Sequence, residues 1–272
     1  MRPATHSGPE SQTLHLSIQT RALASRAALV ILAVVLTGCQ GMSRVPAVSQ
    51  IRVIDTSPDA PAIDIHQNAS PGLYNIAFGT VSSYISVPAG AYTHTAYTAY
   101  TAGTRQRLAA VKSSFLDGVQ YTVLTGNTAA ALQMTILRDQ STPAPAGQVA
   151  LRVLNQTTRP GAFDLYLLPA GSPLTALLPL ASHAGFGTNT GYLNTPSGTY
   201  SILAFRSGDI PTIASPLFTG AQASYPSGAV RTLILIDQPA SQQSGLSPAT
   251  GLPAAPSLQI ITAKDFDPSA SS

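Results

Sequence analysis

One pattern, written twice, constrains this chain more than any other feature. Ile51–His66 reads IRVIDTSPDAPAIDIH, and one hundred positions later Leu151–Tyr166 reads LRVLNQTTRPGAFDLY. Arg52 falls on Arg152, Val53 on Val153, Ala62 on Ala162 and Asp64 on Asp164. The echo continues: Phe78–Tyr84 (FGTVSSY) returns as Phe186–Tyr192 (FGTNTGY), and Val87–Tyr92 (VPAGAY) as Thr195–Tyr200 (TPSGTY). Leu132–Asp139 (LQMTILRD) returns as Leu258–Asp265 (LQIITAKD). A unit of about 100 residues is the size of a small domain, so 272 residues hold two.

Within each unit the periodicity is that of strands. Ile51/Val53 and Ile63/Ile65 alternate with Arg52/Ile54 and Asp64/His66, giving one apolar and one mixed face. Short runs rich in Val, Ile, Thr and Tyr follow at Leu73–Phe78, Ser83–Val87, Ala91–Tyr100, Leu108–Ser114, Val119–Thr125 and Leu132–Arg138, separated by Gly, Pro and Asn turns. The expected architecture is all-β: two tandem Ig-like β-sandwich domains, at 51–140 and 148–267. Ser141–Gly147 (STPAPAG) is expected to be a Pro-rich semi-rigid linker. The register of the second copy drifts, placing an insertion around Pro169–His183 and a Pro-rich surface loop at Pro239–Ser257.

Residues 1–38 stand apart as a cleaved signal peptide. Arg21 and Arg26 precede the apolar run Ala27–Leu36, which rises only about 15 Å as a helix, half a bilayer core. Leu36-Thr37-Gly38-Cys39 resembles the bacterial lipobox, which implies a diacylglyceryl thioether and an N-acyl group (palmitate among them) on Cys39. More than one acyl chain anchors stably. Gln40 stands where Asp would resemble an inner-membrane retention signal, so the expected address is the outer membrane, on its periplasmic or surface face. Residues 39–50 then form a tether.

The pI near 9.1 is misleading. Removing Arg2, Arg21, Arg26 and Glu10 from 14 basic and 11 acidic residues leaves 11 and 10, a net charge of +1. With no basic stripe, the chain lacks the electrostatic footprint of a nucleic-acid binder. Cys39 is the only cysteine, which excludes an internal disulfide or a cysteine-based zinc site.

Arg52-Val53-Ile54, Ser57-Pro58-Asp59-Ala60-Pro61-Ala62-Ile63-Asp64, the Phe78-Gly79 turn and Pro88-Ala89-Gly90-Ala91-Tyr92 resemble the domain-of-unknown-function family 4397. The resemblance is strong over 50–139 and weaker over 148–266, where Arg159 and Gly161 replace Asp59 and Pro61. It implies tandem β-sandwich domains on secreted or lipid-anchored bacterial proteins. It supplies no catalytic residue, cofactor or ligand.

Catalytic motifs of the G-x-S-x-G, H-E-x-x-H and P-loop kinds are absent from the sequence, and no cofactor is implied. Asp55, Asp59 and Asp64 are weak candidates for a Ca²⁺ site; turn chemistry accounts for them as well. Arg52 with Asp64, and Arg152 with Asp164, are expected to form exposed cross-strand ion pairs. The most suggestive surface is Tyr92–Thr101 (YTHTAYTAYT). Alternation places Tyr92, His94 and Tyr100 on one face and Thr93, Thr95, Tyr97 and Thr101 on the other. Tyr offers a flat apolar body with a polar tip, suited to a sugar or a protein partner, although the same residues are simply good strand formers. The expected role is non-catalytic binding or scaffolding in the envelope, with a glycan, peptidoglycan or an envelope protein as partner. The rival is an envelope hydrolase using His66 or His94.

Overall fold

Alternating apolar residues between Pro- and Gly-bearing turns generate seventeen strands in the computed structural model, which describes residues 46–68, 70–99, 105–158, 161–238 and 258–271. Cys39, Tyr100, Thr101, Arg159 and the Pro239–Ser257 segment lie outside the described residues.

The first half contributes β1 (Val48–Asp55), β2 (Ile63–Gln67), β3 (Ser70–Ile76), β4 (Ile85–Pro88), β5 (Gly90–Thr98), β6 (Arg107–Phe115), β7 (Gln120–Gly126) and β8 (Gln133–Arg138). They form two four-stranded sheets, β4-β1-β7-β8 and β3-β2-β5-β6. β1 runs parallel to β7, with Val53 opposite Val123, and the other pairings are antiparallel.

The second half repeats the plan with β9 (Gln148–Asn155), β10 (Phe163–Pro169), β11 (Ala181–Ala184), β12 (Asn189–Pro196), β13 (Gly198–Arg206), β14 (Phe218–Thr219), β15 (Ala223–Tyr225), β16 (Val230–Asp237) and β17 (Leu258–Phe266). Its sheets are β12-β9-β16-β17 and β11-β10-β13-β14, with β15 also on β13. Again β9 runs parallel to β16. The fold is an all-β sandwich type.

Each half has its own core between its sheets. Val53, Ile63, Ile65, Ala96 and Val123 fill one, extended by Ile51, Val87, Phe115 and Tyr121. Leu151, Val153, Leu165, Ile202, Leu233 and Leu235 fill the other. A tyrosine in each half fixes the same corner: Tyr92 donates its hydroxyl hydrogen to the Pro88 carbonyl and Tyr200 to that of Pro196, both at 2.8 Å. Gly198 leaves room for the Tyr200 ring, since a β-carbon there would come within 3.3 Å of it.

The sheets β4-β1-β7-β8 and β12-β9-β16-β17 pack face to face. Ile54, Leu124 and Leu137 meet Leu154, Ile234, Ile236 and Ala263 in a third core between the halves. Burying such side chains is worth about 1.5–3 kcal/mol each. This is why β16 (VRTLILID) is buried along its whole length, as a strand covered on both faces reads. The face of β1 expected to be open is therefore covered. Ala47–Ser272 forms one compact unit. Within 141–147, Ala144 is buried against Ala150 and Val230, and its N–H donates to the Gly228 carbonyl.

Candidate functional site

The covered face holds a buried polar network whose arginine, threonine and tyrosine hydrogen bonds to the paired carboxylates recur when the halves are exchanged. From β1, Arg52 donates through Nε to Thr122 (2.9 Å), through Nη1 to the Lys264 carbonyl (2.9 Å) and through Nη2 to Asp265. Its counterpart Arg152 donates to Thr232 (3.0 Å), the Arg138 carbonyl (3.2 Å) and Asp139 (2.6 Å). Thr122 and Thr232 each donate to the carboxylate of their own half, Asp139 and Asp265, at 2.6 Å. Tyr84 and Tyr192 close the cage. Their rings lie 4.7 and 4.6 Å from the guanidinium carbons of Arg52 and Arg152, and their hydroxyls donate to Asp139 and Asp265. Burial disfavours the Arg52 cation, but Asp265 and Asp139 outweigh it and hold the guanidinium's pKa above its ordinary value. Burial first, and then the adjacent carboxylate, pushes both tyrosine hydroxyls up, so they remain donors.

This corrects the expected ion pairs. Arg52 does not meet Asp64, nor Arg152 Asp164; each arginine crosses to the other half, because the packing of the halves buries the mixed face of β1 and β9. Asp64 instead accepts the Asn75 N–H and pairs with Arg105, while Asp164 accepts the His183 and Gly208 N–H groups. Nothing in one unit predicts a partner in the other. The signal was nonetheless present, since Arg52, Tyr84 and Asp139 all sit inside repeated motifs.

The tyrosine-bearing strand divides differently from its expected surface. His94 is fully buried, packed on Phe115 at 5.1 Å between ring centroids, and both ring nitrogens lack partners. It faces the core with Ala96, so it is not part of a ligand surface. Burial lowers its pKa to about 4. Tyr92 is half-buried with its hydroxyl committed to Pro88. Tyr97 is half-buried on the opposite face, 5.0 Å from His66 and 5.8 Å from the Arg105 guanidinium. Tyr74, 53% exposed, borders His66 on the other side. Arg105 also reaches His66 Nε2 (3.1 Å) and Asp64 (3.1 Å). Tyr74 and Arg105 were not singled out by the sequence; only pairing β3 with β2, and the Arg105 turn with β5, brings them beside His66.

The same sheet face in the second half is sealed. Tyr166, Leu203 and Phe205 occupy the positions of His66, Thr95 and Tyr97, and all three are buried under Leu168, Leu174, Leu177 and Ala214. Leu174 and Leu177 belong to the insertion after β10.

The three aspartates weighed as a metal site do not converge. Asp59 accepts the Ala129 N–H at 2.7 Å, and Asp64 serves Asn75 and Arg105. Asp55 is buried, accepts from Ser57 and Thr125 with Oδ1, leaves Oδ2 without a partner and is pushed up to about 6 by burial. Among the described residues no three His, Cys, Asp or Glu side chains gather in metal-binding geometry. Nor, among them, is any helix long and apolar enough to cross a membrane.

A cavity of about 120 Å³ opens between the halves, where β7 and β8 face the end of β9 and the turn before β12. Leu124, Leu137 and Leu154 form its floor, Gln133, Gln156 and Asn189 line it, and Phe186 stands 43% exposed beside it.

Residues 49–166 match the family described as "Domain of unknown function (DUF4397)", a stretch that spans the first half and continues through β9 into β10. No curated protein matches the chain. A solved structure described as "Alpha-glucan binding by a streptococcal virulence factor" aligns with 67% of this chain and 92% of that one, at 13% identity. The TM-score of that alignment is 0.21.

Proposed function

We propose that this protein is a lipid-anchored envelope component, tethered through Cys39 at the outer membrane, and that its work is non-catalytic binding. On this reading the second half is a second copy of the same domain. The observation that carries it is the contrast between the two outer sheet faces. Where the second half covers Tyr166 and Phe205 with its own insertion, the first half leaves Tyr74 and Tyr97 accessible around His66 and Arg105. Accessible aromatic rings beside a guanidinium suit an envelope glycan, including peptidoglycan, or a protein partner. His66 and Asp64 both face Arg105, an arrangement that positions a surface rather than activating a nucleophile.

Two measurements test the parts separately. Metabolic labelling with an alkynyl fatty acid should tag the chain and fail for Cys39→Ala; equal labelling of that variant would refute the anchor. Binding to isolated cell-envelope material should fall on Tyr97→Ala and Tyr74→Ala with the melting temperature held. Unchanged binding in both would move the role away from this face.

A further inference from the structure

The two halves meet through equivalent surfaces, so each place in their interface exists twice, and one of the two copies has been emptied. On one side Val81, Ile236 and Ile261 pack with Phe78 into the core between the halves. A β-carbon on Gly79 would come 3.7 Å from Ile236 Cδ1, so that side is filled to contact. The repeat places Asn189, Gly126 and Thr135 at those three positions on the other side, and there the cavity of about 120 Å³ opens. Gln156 folds over Gly126, its Oε1 lying where a β-carbon would go. Phe186, the counterpart of Phe78, is left 43% exposed. Three apolar fillers have thus been exchanged for a glycine, a hydroxyl and a carboxamide. An empty cavity is destabilising, and the other half shows that the same fold fills it readily.

We propose that this cleft is a binding site for one neutral sugar ring, a site additional to the open aromatic face. No titratable side chain lines it, so the ligand is uncharged. Three carboxamides, each donor and acceptor, with Thr135 and Thr188 match vicinal hydroxyls. The leucine floor and the Phe186 ring match the C–H face of a pyranose, as aromatic and aliphatic groups do in mixed pockets. At about 120 Å³ the cleft is smaller than the apolar cavity of about 150 Å³ that holds benzene, so it seats one edge of a single sugar ring, with the rest projecting through the opening. Because the cleft opens beside Phe186, the remainder of an oligosaccharide can extend outward.

The test is isothermal titration calorimetry on the full-length chain in detergent. Its probes are glucose, galactose, N-acetylglucosamine and their trimers, with glucuronate as the charged control. At least one neutral saccharide should bind saturably and glucuronate should not. Thr135→Ile with Asn189→Val copies the filled side, and should abolish binding without lowering the melting temperature. Phe186→Ala, a change at an exposed side chain, should weaken binding about tenfold. Absence of binding by every neutral saccharide, or undiminished binding by both variants, overturns the proposal. Binding lost only on Tyr97→Ala would also overturn it, while leaving the open-face reading intact.

Discussion

At the scale of single residues, each half shows what the other could hold. Asp55 stands where the second half has Asn155, whose amide donates to the Ala184 carbonyl while its oxygen accepts from Thr157. His94 stands where it has the buried Ile202. Both first-half residues are ionisable and enclosed, with opposite consequences for pH. Between pH 4 and 6 the unfolded chain has released the Asp55 proton that the folded chain retains, so raising the pH through that window lowers stability. Between pH 6.5 and 4 the unfolded chain takes up a proton that folded His94 refuses, so lowering the pH lowers stability. The two slopes oppose, and each is on the order of 3 kcal/mol at about 1.4 kcal/mol per pH unit. Asp55→Asn should therefore stabilise the protein at pH 7 and expose a decline on acidification to pH 4. His94→Ile should instead leave stability rising as the pH drops from 6 to 4. Urea titrations at pH 4, 5, 6 and 7 read both effects. The arginine network behaves differently: Arg52→Ala or Arg152→Ala strands a buried carboxylate and should cost about 3–5 kcal/mol in the same assay. Arg→Lys should recover little of it, because one ammonium cannot reproduce the three-way donation.

Strands were largely readable from the sequence, because their alternation is set by chain-local physics. The runs at Ser83–Val87, Leu108–Ser114, Val119–Thr125 and Leu132–Arg138 became β4, β6, β7 and β8 with ends shifted by a residue or two. What alternation cannot report is what covers the second face of a strand. Arg52 and Ile54 point together to a mixed face, and only the arrival of β17 and β9 makes that face interior. The candidate surface suffered likewise: alternation put His94 and Tyr97 on opposite faces, but not which of those faces is the core and which the outer one. The cleft was written in the repeat as the exchange of Val81 for Asn189, but its meaning needed both sides of the interface. For Pro239–Ser257 the ladder gives a direct expectation. β16 and β17 pair to the last rung, Asp237 opposite Leu258, as β7 and β8 pair to Gly126 opposite Gln133. Replacing the insertion with the first-half connection Asn127–Leu132 should shift the melting temperature by no more than about 3 °C, since loop-closure entropy varies slowly with length. A larger fall would assign that segment a structural part.

For the whole molecule, the core shared between the halves makes them thermodynamically one object. Differential scanning calorimetry should show a single transition, and an introduced protease site within 141–147 should give two fragments that still migrate together in gel filtration. Two transitions, or separation after cleavage, would show that the halves are independent. Because the central ion pairs are shielded from solvent, 0.5 M salt should leave this association intact, where exposed pairs would be screened.

The reciprocal contacts between the halves have a consequence for ancestry and for dilution. A surface on which residue i meets j while j's counterpart meets i's is self-complementary, the property of an isologous homodimer. On the proposed reading of the second half as a second copy of the first, two such surfaces in one polypeptide amount to a dimer made permanent by covalent fusion. Association that would depend on concentration between separate chains becomes intramolecular. The fused protein keeps its paired form even when only a few copies are present, and its halves are free to diverge. On that reading one half has since covered an outer face, and the two sides of the interface have come to differ where Asn189 and Thr135 line the cleft.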